Sequence, residues 1–256
     1  MLSYQHAYHA GNAADVHKHF VLAELLRLLT KKDRGVSYLE THAGRGLYDL
    51  TSEEAQKTGE AALGIDRVEG LEGTPIGDAL EQVRAQHGET AYPGSPLIAS
   101  SLLREQDKIA LMEMHPQEHR ALRRAMKGSG AAVHNRDAYE GAKALTPMDP
   151  RRGLVLIDPP YELKDEYGRA AKLAMTIHKR WPEAAIMVWY PILDAGRHAE
   201  LLSGMAEGEP LVSEVSFPPK DGRGMKGSGL AIIGAPYGAD EAIARAIALG
   251  GRVFRP

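Results

Sequence analysis

Residues 153–160, Gly-Leu-Val-Leu-Ile-Asp-Pro-Pro, set four consecutive branched apolar side chains directly before an acidic residue and two prolines. A run so short and so apolar fits a strand buried on both faces, and the prolines end it. Comparable runs recur at 36–43, 109–116, 131–138, 185–191, 211–219 and 229–236. Helical patterns lie between most of them, notably over 117–127, 165–180 and 194–206. Apolar runs separated by helices indicate an α/β fold with a parallel sheet covered on both sides. Only the Gly- and Lys-rich stretch PKDGRGMKGS separates the last two runs. It is too short for a helical crossover, so the final strand is read as antiparallel.

At the N-terminal end, Asn12 is placed to cap a helix with Asp15 as its capping-box partner. That helix is expected to run to about Lys32, with Val16, Phe20, Ala23 and Leu26 on one face. Residues 47–108 separate the first two strands by far more than one crossover helix needs. Helix-like pieces at 52–65, 76–87 and 96–104 suggest a single domain over 1–256 with a small inserted helical subdomain at 51–92.

The composition is that of an ordinary globular chain, with 43% hydrophobic and 25% charged residues, which excludes disordered and fibrous classes. There is no cysteine, so neither a disulfide framework nor a cysteine zinc site can form. No run approaches the roughly 18 apolar residues of a membrane span, and the first residues lack a signal-peptide pattern. The expectation is a cytoplasmic protein without a membrane partner. A net charge of −3 argues against a wholly basic nucleic-acid binder but leaves room for local patches. Lys31, Lys32 and Arg34 form one such patch; Arg120, Arg123, Arg124 and Lys127 form another; Lys220, Arg223 and Lys226 form a third.

Asp158-Pro159-Pro160-Tyr161 is the most specific motif, at the carboxyl end of a strand, where open α/β sheets bind ligands. An exocyclic amine is a poor nucleophile because its lone pair is delocalised into the ring. Two acceptors on its hydrogens localise that pair, and the Asp158 carboxylate with the Pro159 carbonyl can supply them. Tyr161 offers a flat face to a base turned out of its stack. Asp158, Pro159 and Tyr161 are therefore the candidate catalytic residues.

Glu40-Thr41-His42-Ala43-Gly44-Arg45-Gly46 places an acidic residue and a Gly-x-Gly turn at the end of the first strand. Gly44 allows a cofactor to approach the backbone closely. The third glycine of a dinucleotide fingerprint is missing, with Asp49 in its place, which disfavours a nicotinamide enzyme. Glu113 ends the second strand, where ribose hydroxyls are held in such folds, and Asp137 ends the third, within reach of an adenine amine. Seven strands, mostly parallel with a final antiparallel strand, in a Rossmann-like sheet carrying these acids match the architecture of S-adenosylmethionine-dependent methyltransferases.

His6, His9, His17 and His19 fall within fourteen residues, which raises a metal site. His17 and His19 are spaced wrongly for one helix face, and no H-E-x-x-H motif is present. The expectation is no metal. Residues 1–9 are read instead as an active-site flap whose deletion leaves the fold intact.

The segments MLSYQHAYHAGNAADVHKH, YLETHAGRGLYDL, YPGSPLIASSLLREQD, EMHP, RRGLVLIDPPYE, WYP and GMKGSG together resemble the bacterial 23S rRNA adenine-N6 methyltransferase family known as RlmJ, from Met1 to about Pro236. Gln5, Ala13, His17 and Arg45 depart from the family's pattern. The resemblance implies a monomer using S-adenosylmethionine without a metal. Its partner would be 23S rRNA, free of ribosomal proteins or early in assembly with them, and its target the adenine numbered 2030. It implies cofactor contacts at His19, His42, Ser95, Glu113, Asp137, Ala138 and Asp158, beside the Gly44 turn. It also implies that Tyr4, His6 and Lys18 work near the target base with Tyr161. Three other readings stay open: a DNA adenine-N6 methyltransferase, a non-catalytic RNA-binding module on the same fold, and, disfavoured by the glycine turn, a nicotinamide-dependent oxidoreductase.

Overall fold

The structure is a computed structural model that describes residues 5–219 and 224–254. Tyr4, Lys220 and Arg223 lie outside the described residues. After a 3-10 turn at His6–Tyr8, helix α1 spans Ala13–Thr30 and leads to β1 (Ser37–Glu40). Then follow β2 (Leu47–Asp49), α2 (Glu53–Thr58), α3 (Pro75–His87), β3 (Ala91–Pro93) and α4 (Ser95–Leu102). The chain continues through β4 (Lys108–Met112), α5 (Pro116–Ala125), β5 (Ala132–His134), α6 (Ala138–Leu145) and β6 (Gly153–Ile157). It closes with α7 (Glu166–Arg180), β7 (Ala184–Ile192), α8 (His198–Met205), β8 (Leu211–Ser216), β9 (Gly227–Ile233) and α9 (Ala239–Gly250).

Seven strands form one sheet in the order β5-β4-β1-β6-β7-β9-β8. The pairs from β5 to β7 are parallel, and β9 runs antiparallel to both β7 and β8. The last strand is thus antiparallel, as its short connection requires, and it lies inside the sheet with β8 at the edge. β8 alternates buried Ser213 and Val215 with outward Val212, Glu214 and Ser216, as an edge strand with one wet face does. β6 is buried at every position. Its residues alternate between two cores: Leu154 and Leu156 face the side of α1 and α9, while Val155 and Ile157 face α7 and α8.

Gly229 permits the β7–β9 pairing, because a Cβ there would lie about 2 Å from the buried Tyr190 ring. Several strands end earlier than the apolar runs suggest. β1 stops at Glu40, β4 at Met112 and β6 at Ile157, and the polar, glycine or proline residues that follow leave the sheet as loops.

Helix α1 starts as its cap predicts, with Asn12 Oδ1 accepting the Asp15 N–H at 2.9 Å. The capping box does not close: Asn12 N–H donates to His9 O, and the Asp15 carboxylate turns to Gly11 N–H instead. Nor does α1 show a single apolar face. Of its residues only Arg27 and Thr30 are more than slightly exposed, because α3, α4, α9 and β9 surround it. In the long β1–β4 connection, Gly59 (φ +61°) ends α2 after six residues, so the 52–65 helix breaks into α2 and two 3-10 turns. β2 and β3 pair antiparallel at the base of this excursion. Ile76, Ala79, Leu80 and Val83 of α3 join the same core as α1.

Candidate functional site

The strand order reverses between β1 and β6, and the carboxyl ends of these strands open into a cavity of about 660 Å³. That is the size of a small-molecule site. Its lining brings together His6, Lys18, His19, His42, Gly44, Ser95, Glu113, Asp137, Ala138, Asp158, Pro159 and Tyr161 from six separate stretches of the chain.

Asp158 follows directly on β6. Its Oδ2 accepts from Lys18 Nζ at 2.7 Å, and the Lys18 ammonium also lies 3.2 Å from Asp15 Oδ1. The same ammonium stands 5.7 Å from the centre of the Trp189 ring. Tyr161 takes a left-handed backbone conformation (φ +54°), one of two non-glycine residues that do so among the described residues. The turn folds its ring against Tyr167, with centroids 4.4 Å apart, and its hydroxyl donates to Trp189 O at 2.6 Å. A strained turn held by packing and a hydrogen bond at a strand end is typical of functional sites.

On the other half of the cavity, Gly44 and Gly46 both take positive φ (+59° and +77°), which explains the Gly-x-Gly spacing. Arg45 between them points away and forks onto the Glu118 carboxylate at 2.8 and 2.9 Å, so its size does not crowd the turn. Glu113 Oε2 accepts Gly44 N–H at 2.9 Å and Oε1 accepts His115 N–H at 2.7 Å. Burial nevertheless pushes the Glu113 carboxyl up to about 7. Asp137 caps α6 through the Glu140 N–H at 3.0 Å. The half-buried His42 ring bonds Thr41 Oγ1 at 2.8 Å, and burial lowers it to about 4. His19 bonds Tyr92 Oη at 2.9 Å and is lowered to about 3 by burial, so it sits neutral.

Glu40 does not line the cavity. It lies fully buried beneath, accepting from Ser95 Oγ at 2.5 Å and Tyr38 Oη at 2.8 Å, and burial raises it to about 8. It anchors Ser95 from behind.

Residues 6–10 are packed, in contrast to the detachable flap expected over 1–9. Ala7 and Ala10 are buried. His6 Nε2 meets Asp15 Oδ2 at 2.8 Å, His9 Nδ1 meets Glu60 at 3.0 Å, and Thr58 Oγ1 donates to Tyr8 O. His17 is structural: its two ring nitrogens bond Ser228 and Ser213 at 3.0 Å each, tying α1 to β8 and β9. Among the described residues no three His, Asp or Glu side chains are grouped to hold a metal ion. Nor is any helix there long and apolar enough to cross a membrane.

Nothing in the sequence marks Trp189, Tyr139 or the contacts that Asp15 makes. Tyr139 carries the Arg169 guanidinium 4.1 Å from its ring centre and meets His42 edge-on. Tyr139 directly follows the Asp137-Ala138 pair, and Trp189 lies one residue past Val188, the last β7 residue paired with β6, at the level of Asp158.

The glycine turn under the cavity, carboxylates after β4 and β5, and Asp158 after β6 suit a bound nucleoside with an amino-acid arm. Fold and site together define an S-adenosylmethionine-dependent methyltransferase. Residues 33–249 match the family described as ribosomal RNA large subunit methyltransferase D, RlmJ. The chain is 39% identical over 247 residues to ribosomal RNA large subunit methyltransferase J of Escherichia coli K12, spanning 93% of this chain and 88% of that protein. It is equally similar (39%, with 93% and 88% covered) to the protein of the same name from Haemophilus influenzae. The crystal structure of protein LPL1258 from Legionella pneumophila superposes with a TM-score of 0.81 at 32% identity, over 95% of each chain. The chain belongs to the RlmJ family of ribosomal RNA large subunit methyltransferases, and it is an RNA methyltransferase.

Proposed function

We propose that this enzyme methylates the N6 amine of one adenine in 23S rRNA, the adenine numbered 2030. The observation that carries the reading is Asp158, standing at the end of β6 with one carboxylate oxygen fixed by Lys18 and the other oxygen left for an amine hydrogen. The Pro159 carbonyl takes the second hydrogen, and the nitrogen lone pair is then directed out of the ring plane. S-adenosylmethionine, when bound, supplies an electrophilic methyl on a sulfonium.

Glu113 accepts from the ribose hydroxyls, and Asp137 with Ala138 faces the cofactor's adenine. His19, His42, Gly44 and Ser95 complete the cofactor's side of the cavity. Tyr4, His6, Lys18 and Tyr161 serve the target base, and Trp189 adds an aromatic wall beside them. The β8–β9 connection adjoins the same cavity, since Phe217, Pro218, Pro219, Gly224 and Met225 line it. Residues 51–92 act as an inserted subdomain of one domain. The enzyme works as a cytoplasmic monomer on 23S rRNA that is free or early in assembly.

Labelled-methyl transfer to total rRNA and to genomic DNA, followed by nucleoside analysis, tests this. N6-methyladenosine confined to the large-subunit RNA is expected. Label in DNA, or in another base, contradicts it.

A further inference from the structure

Asp15 is 1% exposed, yet its side chain is not spent on capping α1. Oδ2 accepts Gly11 N–H at 2.9 Å and meets His6 Nε2 at 2.8 Å. Oδ1 meets Lys18 Nζ at 3.2 Å and His19 Nε2 at 3.7 Å. Lys18 in turn reaches Asp158 at 2.7 Å. Two carboxylates therefore flank one ammonium in a place where burying a charge is expensive. Asp158 alone would pair the lysine, so charge balance does not explain the second carboxylate.

The reaction explains it. As the N6 lone pair forms its bond to the methyl carbon, the C–S electron pair leaves with sulfur, and the nitrogen becomes cationic until it gives up one proton to water. The Asp158 carboxylate stabilises that cation only while it stays fixed beside it. Asp15 braces the Lys18 ammonium that fixes Asp158, and fixed charge aimed at a developing charge is among the largest sources of catalysis.

On the methyl-transfer reading of Asp158 given above, we propose that Asp15 is a positioning residue. It holds Lys18, and through Lys18 the Asp158 carboxylate, in place where the amine turns cationic. The Asp15 carboxyl is held ionised. Burial pushes it up, but the charges of its neighbours outweigh burial and hold it well below the usual carboxylate range. His6 and Lys18 are the nearest of those neighbours, at 2.8 and 3.2 Å.

Asp15→Asn keeps an oxygen for Gly11 N–H and removes the charge. Turnover, KM for rRNA and affinity for S-adenosylmethionine are measured in wild type, Asp15→Asn, Lys18→Met and the double variant. Asp15→Asn should lower kcat about 10- to 100-fold, the scale of a small misplacement of reacting groups. KM and cofactor affinity should stay within about twofold, and Asp15→Asn should add almost nothing once Lys18 is Met, as residues acting through one another behave. Unchanged kcat, a loss confined to KM or cofactor affinity, or full additivity with Lys18→Met overturns the inference.

Should Asp15→Asn not fold, nitrogen-15 NMR of the lysine ammonium groups in the wild-type protein decides. A slowly exchanging Lys18 signal is expected, and a rapidly exchanging one overturns the inference. If wild type itself forms no N6-methyladenosine, the functional reading fails and takes this inference with it. Normal wild-type activity with an unaffected Asp15→Asn overturns the inference alone.

Discussion

Lys18 Nζ and Asp158 Oδ2 lie 2.7 Å apart, with 7% and 14% of their side chains exposed, so one ion pair joins the first helix to the end of the central strand. Removing one partner of a sealed pair strands the other charge, at a cost of roughly 3–5 kcal/mol. Lys18→Met should therefore lower both melting temperature and turnover. Lys18→Met combined with Asp158→Asn should regain part of the stability, since Asp15 still lacks Lys18, and none of the turnover. Calorimetry and single-turnover methyl transfer on the four proteins separate the two effects.

Glu113 is raised to about 7 by burial, so in the free enzyme it is protonated below that pH. Its proposed bonds to ribose hydroxyls need the ionised form. Affinity for S-adenosylmethionine should rise as pH increases through about 7 and level off above it, with one proton released on binding below it. Glu113→Ala should weaken binding about 10- to 150-fold, the loss of roughly 1.5–3 kcal/mol of charge-assisted hydrogen bonding. Glu113→Gln should also abolish the pH dependence. Titration calorimetry in two buffers of different ionisation heat reads both.

His17 is depressed to about 3 by burial, against an ordinary value near 6.5. The unfolded chain therefore binds a proton there that the folded chain refuses. Its contribution to stability is complete above about pH 6.5 and is lost as pH falls from there toward 3. His17→Gln should cost stability at pH 8 but narrow the gap to wild type at pH 5. Melting temperatures of both proteins across that range are the check.

Pro219 and Gly224, next in sequence to Lys220 and Arg223, line the cavity, and Lys226 is already engaged by Asp194. Replacing all three with Gln should flatten the slope of log affinity for RNA against log salt by about 1.4, two contacts at about 0.7 each, not three. Residues 51–92 hold nine Asp and Glu against three Lys and Arg, which makes this stretch a poor alternative for the RNA backbone. A salt slope identical to wild type would assign binding to another basic face, such as Arg120, Arg123 and Arg124.

Much of this site was legible because strand ends carry their chemistry in sequence. Glu113, Asp137 and Asp158 each follow an apolar run, and the sheet brings such ends together. Gly44 and Gly46 announced a turn that needs positive φ. Glu40 read the same way and proved to be buried support, because an acid on the last residue of β1 points into the core where one just beyond a strand points into the cavity. Asp15 looked like half of a capping box, since the offset from Asn12 is right. It meets His6 of the preceding 3-10 turn and Lys18 one turn along its own helix, and Lys18 reaches Asp158 at the end of β6; no local pattern reports that convergence. The burial of α1 on every side was hidden for a related reason: periodicity shows a helix's own faces, not how many neighbours will cover them.

In the proposed reaction Asp158 is the acceptor for an adenine amine. The most direct test is a single-turnover reaction of wild type and Asp158→Ala with labelled S-adenosylmethionine and large-subunit rRNA, read by nucleoside mass spectrometry, with folding and cofactor binding checked in parallel. Wild type is expected to place one label, as N6-methyladenosine, at a single adenine. Asp158→Ala should fold and reduce that rate by about 10²- to 10⁴-fold, the range for a positioned proton acceptor. A folded, cofactor-binding Asp158→Ala that methylates at near wild-type rate, or label on any position other than adenine N6, would contradict it.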